Sequence, residues 1–511
     1  MIAVDVPATI QPYVEYDDGR LWVVEEFARN PRFLSFLDRI HKLHGPIPQE
    51  IVTLQTISER RHKRNRGNNG GHTATIADAI KLFEDACRRK ASDIHIRVYG
   101  DYAILKYRIN GDLRDMVQWT ADYAEAICHV IYTSMADVAD PTYQPSVTQD
   151  ARIAKPEMLP EGLYGIRISS GPHSDGSFMV LRLLYASENV QVGVDMGDRL
   201  RELGYGEDHV QVLRFLARRP TGITIISGPT GSGKSTTLKH TLEGLSAARP
   251  ELCIMSVEDP PEYPMSGVLQ MPVMAGASST DREEAFGRAI RSAMRSDPDV
   301  MMIGEIRDQE TARLAIRAAM TGHQVWTTLH ANSAFNIINR MCDIMASPQM
   351  PDPIKTLADI TVLSGLVSQR LVKTLCPHCR IPLLDNKEKV DRDLMRRLSR
   401  VVDLERDGRH IYLCGPGCSQ CSGGIKGRTV VAEVVATDPK LLECLRSGGI
   451  EKAQEHWIKA QEGRTTIQHI IEKIVLGLVD PSMAEAVVGP LTTDMVFRDG
   501  VLEKSEYAAH L

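Results

Sequence analysis

An α/β fold organised on a parallel sheet is predicted by three features of this 511-residue sequence. Near-continuous apolar runs at Gly222–Ser227, Leu252–Val257, Val300–Ile303 and Gln324–Leu329 alternate with helical spacing over Glu283–Ser296 and Thr311–Met320. Strands apolar on both faces and separated by helices belong to a parallel sheet covered on both sides. The first run enters Gly228-Pro-Thr-Gly-Ser-Gly-Lys-Ser235, the pattern G-x-x-x-x-G-K-S, and then Thr236-Thr-Leu-Lys-His-Thr-Leu242 at helical spacing. Two more runs end in acid, Val257-Glu258 and Ile303-Gly-Glu305. In such sheets ligands bind beyond the carboxyl ends of the strands, where the phosphate loop and both acids lie.

The length accommodates three to four domains of ordinary size. A net charge of -6 gives no sign of a general polyanion binder, so nucleic acid is not expected as a partner. The start, Met1-Ile-Ala-Val-Asp-Val-Pro-Ala8, has no basic segment followed by an apolar core, and no apolar run reaches membrane-spanning length. A cytoplasmic chain is the expectation. Its ten cysteines then point to metal ligation before disulfides.

Taken in order, residues 1–58 carry scattered prolines, and Phe33-Leu34 with Phe36-Leu37 suggests one face of a short helix; no function is assigned to this segment. Residues 59–74, with Arg60-Arg-His-Lys-Arg-Asn-Arg66 and Gly67-Asn-Asn-Gly-Gly71, read as a linker. Residues 75–186 read as a small α+β domain: a helix at Ile76–Cys87, strands at 93–98 and 103–109, a tight turn at Asn110-Gly111, and strands at 164–169 and 178–184 joined by a Gly/Pro/Ser/Asp-rich loop. A linker over 187–194 precedes the α/β core at 195–371. A cysteine-bearing insert occupies 372–430, and 431–511 looks helical, with stripes at Leu441-Leu442 and Ile467, Ile470, Ile471 and Ile474.

The phosphate-loop pattern requires these residue types for a physical reason. Glycines let successive backbone N–H groups turn toward phosphate oxygens, Lys234 adds a fixed positive charge, and Ser235 offers a hydroxyl to Mg²⁺. Gly228, Pro229, Thr230, Gly231, Ser232, Gly233, Lys234, Ser235 and Thr236 are therefore the expected ATP contacts. Beside a phosphate loop, one strand-end carboxylate can hold Mg²⁺ through water while another takes a proton from attacking water, which nominates Glu258 and Glu305. His323 and His330, flanking Gln324–Leu329, are candidates for sensing the γ-phosphate or for acting across a subunit boundary. Cys376-Pro-His-Cys379 and Cys418-Ser-Gln-Cys421 suit tetrahedral Zn²⁺, with Cys414 and His378 as alternative ligands; a redox role needs only one such pair. The first pair is expected to end a helical stretch, and residues 385–409 to form a loop projecting from the metal knuckle.

Four stretches in order, Gly228–Ser235, Val257-Glu-Asp-Pro-Pro-Glu-Tyr263, Asp297-Pro-Asp-Val-Met-Met-Ile-Gly-Glu-Ile-Arg-Asp308 and Thr321-Gly-His-Gln-Val-Trp-Thr-Thr-Leu-His330, resemble the Walker A, Asp-box, Walker B and His-box motifs of secretion ATPases, nearest the type II secretion and type IV pilus assembly motors. The resemblance covers roughly residues 75–490. It implies a RecA-like core and a cytoplasmic homo-hexamer, peripheral at the inner membrane through a platform protein, that hydrolyses ATP to drive pilin or pseudopilin assembly. Within the site it implies Glu258 as base, Glu305 on the Mg²⁺ side and His330 among the catalytic groups. Arg167 and Arg182, from Tyr164-Gly-Ile-Arg167 and Val180-Leu-Arg182, are implied as arginines that reach the triphosphate from the small domain. The four cysteines, followed by Gly427-Arg-Thr-Val-Val-Ala-Glu-Val-Val435, favour an assembly motor over a retraction motor or a conjugation-type traffic ATPase. The segment before residue 75 matches no motif of the larger N-terminal domain found in many assembly motors.

Overall fold

The computed structural model describes residues 14–52 apart from 18–19, 25–26, 29 and 46, and then 71–137, 142–185, 195–273, 279–347 and 352–493. The basic run Arg60–Arg66, the expected linker at 187–194 and the tail from 494 lie outside the described residues. The chain divides into two compact units, 1–185 and 186–511.

In the first unit β1 (Val14–Asp17) pairs antiparallel with β2 (Arg20–Val24), and β2 pairs parallel with β3 (Gln49–Val52). The helix Pro31–His44 buries Phe33, Phe36 and Ile40 against Val14, Leu21 and Val23. Leu34, expected on that face, is instead 48% exposed, because helical spacing puts 33, 36, 37 and 40 on one stripe and turns 34 away.

A second sheet in this unit comprises β4 (Ala91–Val98), β5 (Tyr102–Ile109), β6 (Asp112–Thr120), β7 (Gln149–Ile153), β8 (Leu163–His173) and β9 (Gly176–Tyr185). These are ordered β6-β5-β4-β9-β8-β7 with every pair antiparallel. The helices Gly71–Arg88 and Ala121–Val130 cover one face, packing Ala79, Phe83 and Ile127 on Ile94, Ile96, Ile168 and Leu181. Asn110 and Gly111 have φ of 52° and 91°, the two left-handed residues a tight hairpin needs. The loop expected between the last two strands is shorter than its composition suggests. Pairing continues to His173↔Gly176, so its glycines and proline lie within the strands and only Ser174-Asp175 makes the turn.

In the second unit the large sheet contains β10 (Gly222–Ser227), β11 (Ile254–Glu258), β12 (Leu269–Pro272), β13 (Val300–Ile303), β14 (Gln324–Leu329), β15 (Leu363–Leu375) and, after the short antiparallel pair β16 (Ile381–Pro382) and β17 (Tyr412–Leu413), β18 (Ile425–Ala436). The order is β12-β11-β13-β14-β10-β15-β18, parallel up to β15 and antiparallel at β15–β18. Every residue of β10, β11, β13 and β14 is buried. Alternation sends Ile223 and Ile225 into the core with Ile303, Ala315 and Val325, and Ile226 into the opposite core with Leu238, Leu242 and Trp326.

Three expectations about the cysteine region change. The boundaries drawn at 371/372 and 430/431 fall inside β15 and β18, which pair from Gly365↔Ala436 to Leu375↔Ile425, so the insert leaves and re-enters at the far tip of this hairpin. Cys376 consequently follows a strand instead of a helical stretch. Residues 385–409 are not a projecting loop either. The helix Arg392–Val401 buries Leu394, Leu398 and Val401 against Ile470, Ile471 and Ile474 of the helix Thr466–Val475, and Arg397 Nε donates to Glu485 Oε1 at 2.7 Å. The C-terminal region is helical as expected: Pro439–Ala460, Thr466–Val475 and Pro481–Val488, capped by Asp438, Thr465 and Asp480. Among the described residues no helix is long and apolar enough to cross a membrane.

Truncating the fully buried Leu398 to alanine is expected to cost about 2–5 kcal/mol, read as a lowered urea midpoint, whereas Arg396→Ala on the exposed side of the same helix is expected to stay within about 0.5 kcal/mol.

Candidate functional site

The phosphate loop leaves the tip of β10 under tight constraint. A Cβ at Gly228, φ +148°, would lie 2.3 Å from the backbone oxygen of Gln369 on β15, so only glycine lets the chain pass. Gln369, fully buried, donates from Nε2 to Ser232 O at 2.8 Å and accepts from the Tyr205 hydroxyl at 2.6 Å; that hydroxyl also lies 3.2 Å from Thr237 Oγ1. The loop is thereby strapped between β15 and the helix Lys234–Ala248, whose N-cap is Gly233. A helix start leaves backbone N–H groups without intrahelical partners, which makes it a natural seat for phosphate oxygens.

Within the loop, Pro229, Thr230 and Gly231 form the exposed crest, Ser232 is buried, and Lys234, Ser235 and Thr236 are half-buried in the first helical turn. Ser232 Oγ has no hydrogen-bond partner among the described residues. Lys234 Nζ folds back to donate to Gly228 O at 2.8 Å and Pro229 O at 3.4 Å. Burial lowers its pKa, and the charges of Glu305 and Glu262 oppose that shift.

Strand order explains how the carboxylates arrive. β11 and β13 are parallel neighbours with Val257 opposite Ile303, and Gly304 N donates to Val257 O at 2.9 Å, so Glu258 and Glu305 emerge from adjacent strand tips. β14 lies between β13 and β10 and ends just before His330, which places the histidine beside Glu305: Nε2 is 3.0 Å from Oε1. The other oxygen of Glu305 takes Arg307 Nε at 2.7 Å. Glu258, only 6% exposed, accepts on Oε1 from Ser256 Oγ at 2.7 Å and Gln270 Nε2 at 3.0 Å. Burial pushes its pKa above the usual carboxylate range despite those donors.

His323 stands at the opposite end of β14, with Nδ1 3.0 Å from Ala318 O and 3.2 Å from Thr321 Oγ1, so it belongs to the turn entering the strand, away from the phosphate loop. Gln270, Ser256, Gln369 and Tyr205 were not legible as site residues. Gln270 lies on a four-residue edge strand with no periodic signal, and Gln369 depends on β15 crossing beside the loop.

Arg167 and Arg182 lie in the first unit, directly opposite each other on β8 and β9; Arg152 of β7 faces Arg167 in turn. Arg182 Nε pairs with the buried Asp93 at 3.0 Å, which also faces Arg108 at 3.7 Å. The result is a transverse row of guanidiniums across one sheet with the Asp93 carboxylate among them.

The cysteine cluster can be tested against zinc on geometry. The Sγ atoms of Cys376, Cys379, Cys418 and Cys421 lie within 4.8 Å of one another, with Cys376–Cys418 at 3.8 Å and both Cys379–Cys421 and Cys418–Cys421 at 3.7 Å. Tetrahedral coordination with Zn–S bonds of about 2.3 Å sets sulfur–sulfur edges of about 3.8 Å, so the four thiols fit the ion. Cys414 is outside the group, its thiol directed at Gly423 O at 3.5 Å, and the exposed His378 is not part of it.

Comparison with known proteins places this geometry. Residues 70–489 match the Type II/IV secretion system protein family. The chain is 35% identical over 432 residues to Type II secretion system protein E of Dickeya dadantii, covering 84% of this chain and 79% of that protein. It is 33% identical over 390 residues to Type II secretion system ATPase E of Vibrio cholerae serotype O1, covering 75% and 70%. Among solved structures it shares its fold with the pilus retraction motor PilT bound to ADP, at 22% identity and a TM-score of 0.52 over 80% of this chain and 96% of that one. The ATPase DotB of Yersinia pseudotuberculosis gives 18% identity and a TM-score of 0.54 over 81% and 94%. The chain belongs to the type II/IV secretion system protein family, among its secretion ATPases.

Proposed function

We propose that the protein is the ATP-hydrolysing motor of a type II secretion or type IV pilus assembly system, and that it couples turnover to movement between its two units. The observation that carries this reading is the convergence of the phosphate loop, Glu258, Glu305 and His330 at one end of a single parallel sheet. In the proposed site the backbone N–H groups of the loop residues Thr230–Thr236 and the charge of Lys234 hold the triphosphate. Ser235 and, through water, Glu305 would hold Mg²⁺, whose charge offsets that of the phosphates. Glu258 takes the proton of the attacking water, and His330 orients Glu305 from the adjacent strand. Arg167 and Arg182 neutralise charge spreading over the γ-phosphoryl oxygens.

If those arginines must reach ATP held by the other unit, nucleotide binding draws the units together and product release frees them, which converts chemistry into motion. A cytoplasmic hexamer docked on an inner-membrane platform protein, adding pilin-like subunits, is the setting we infer. The similarity to type II secretion proteins favours that system. Cys376, Cys379, Cys418 and Cys421 would bind a structural Zn²⁺, which would tie off the end of the β15–β18 hairpin.

Steady-state phosphate release tests the assignments. Glu258→Gln is expected to lower kcat by about 10²–10⁴-fold, Lys234→Ala to abolish ATP binding, and Arg167→Ala or Arg182→Ala to cost about 10³-fold. Turnover unchanged by Glu258→Gln and Glu305→Gln would refute the motor. A carboxylate base acts only when ionised, and burial raises the pKa of Glu258, so kcat/KM should fall on the acid side at a pH above the ordinary glutamate range; an unshifted limb contradicts the assignment. Metal analysis should find about one zinc per chain, lost in Cys418→Ser together with thermal stability.

A further inference from the structure

We infer that Ser256 and Gln270 are positioning residues for the catalytic carboxylate, fixing the rotation of Glu258 so that it presents one oxygen to the attacking water. The inference rests on the assignment of Glu258 as the base.

A glutamate at a strand tip has three rotatable bonds, and the two oxygens of its carboxylate are equivalent unless neighbours distinguish them. Here they do. Ser256 precedes Glu258 by two residues on β11 and therefore shares its side of the sheet. Gln270 on β12 is the register partner of Ser256, so its side chain starts from the same side. Both donors converge on Oε1, at 2.7 and 3.0 Å, and neither bonds Oε2. The backbone N–H of Glu262 also faces this carboxylate, and Val273 N bonds Glu258 O at 2.9 Å, anchoring the main chain beneath it.

The orientation of Gln270 is itself determined. Nε2 donates to Glu258 Oε1 and to Tyr263 O at 2.8 Å, while Oε1 accepts from Met265 N at 3.0 Å. Reversing the amide would set its oxygen against two acceptors and its NH₂ against a donor, so only one arrangement is satisfied. The same amide thus staples the segment leaving Glu258 and orients the carboxylate. A purely structural staple would need no bond to Glu258, and Ser256 contributes nothing to the staple; their convergence on a single oxygen points to positioning.

The experiment measures ATP turnover by the full-length chain carrying Ser256→Ala or the isosteric Gln270→Met, each alone and combined with Glu258→Gln. The single variants are expected to lower kcat by about ten- to a hundredfold while leaving KM for ATP within about twofold, because the base is misaligned and the phosphate loop is untouched. In the Glu258→Gln background neither should lower the residual rate further, since the group they position is gone. Ser256→Ala removes only one hydroxyl, so it keeps the test valid should Gln270→Met fold poorly. Normal kcat in Ser256→Ala, or an equal loss with and without Glu258, overturns the inference while leaving the base assignment intact. Normal kcat in Glu258→Gln overturns both.

Discussion

The site depends on a steric constraint where β10 ends: the main chain must turn against the backbone of β15 with no room for a Cβ at Gly228. Gln369 then reaches under the turn to Ser232, and Tyr205 ties Gln369 toward the following helix. Because β10 and β15 are buried and hydrogen-bonded in parallel register, this geometry is inherited from the sheet and not left to the loop. A loop preorganised in this way does not have to pay the ordering entropy when a phosphate binds.

The same sheet gives two glutamates opposite environments. Glu305 has a guanidinium on one oxygen and an imidazole on the other. Glu258 is surrounded by neutral donors and burial, with the charge of Glu262 adding to the upward push on its pKa. A carboxylate buried among neutral donors, as Glu258 is, binds a proton more readily, which suits acid–base work. The difference follows from strand order. β13 lies next to β14, which brings His330, while β11 lies next to the edge strand β12, which brings Gln270.

Much of this was readable in the residues, and the failures share a cause. The runs at 222–227, 300–303 and 324–329 coincide with β10, β13 and β14 because strands buried on both faces must be apolar throughout. Asn110-Gly111 announced its turn through local backbone preference alone. By contrast, β12 is four residues long and half-exposed, so nothing periodic distinguishes it. In β15, the polar residues Ser364 and Gln369 are buried yet satisfied by partners far away in sequence, and such pairing leaves no local trace. The helix Arg392–Val401 hid its Leu394/Leu398/Val401 stripe among arginines and aspartates, so its charge read as a loop. His323 and His330 look alike in sequence; only the direction of β14 separates them.

The arginine row of the first unit follows the same logic of compensation. Across β5, β4, β9, β8 and β7 the register aligns Arg108, Asp93, Arg182, Arg167 and Arg152. Among the described residues Asp93 pairs with Arg182 and faces Arg108. Like charges on neighbouring strands repel, which costs stability. The ion pair to Asp93 meanwhile keeps Arg182 oriented and restricts its rotamers.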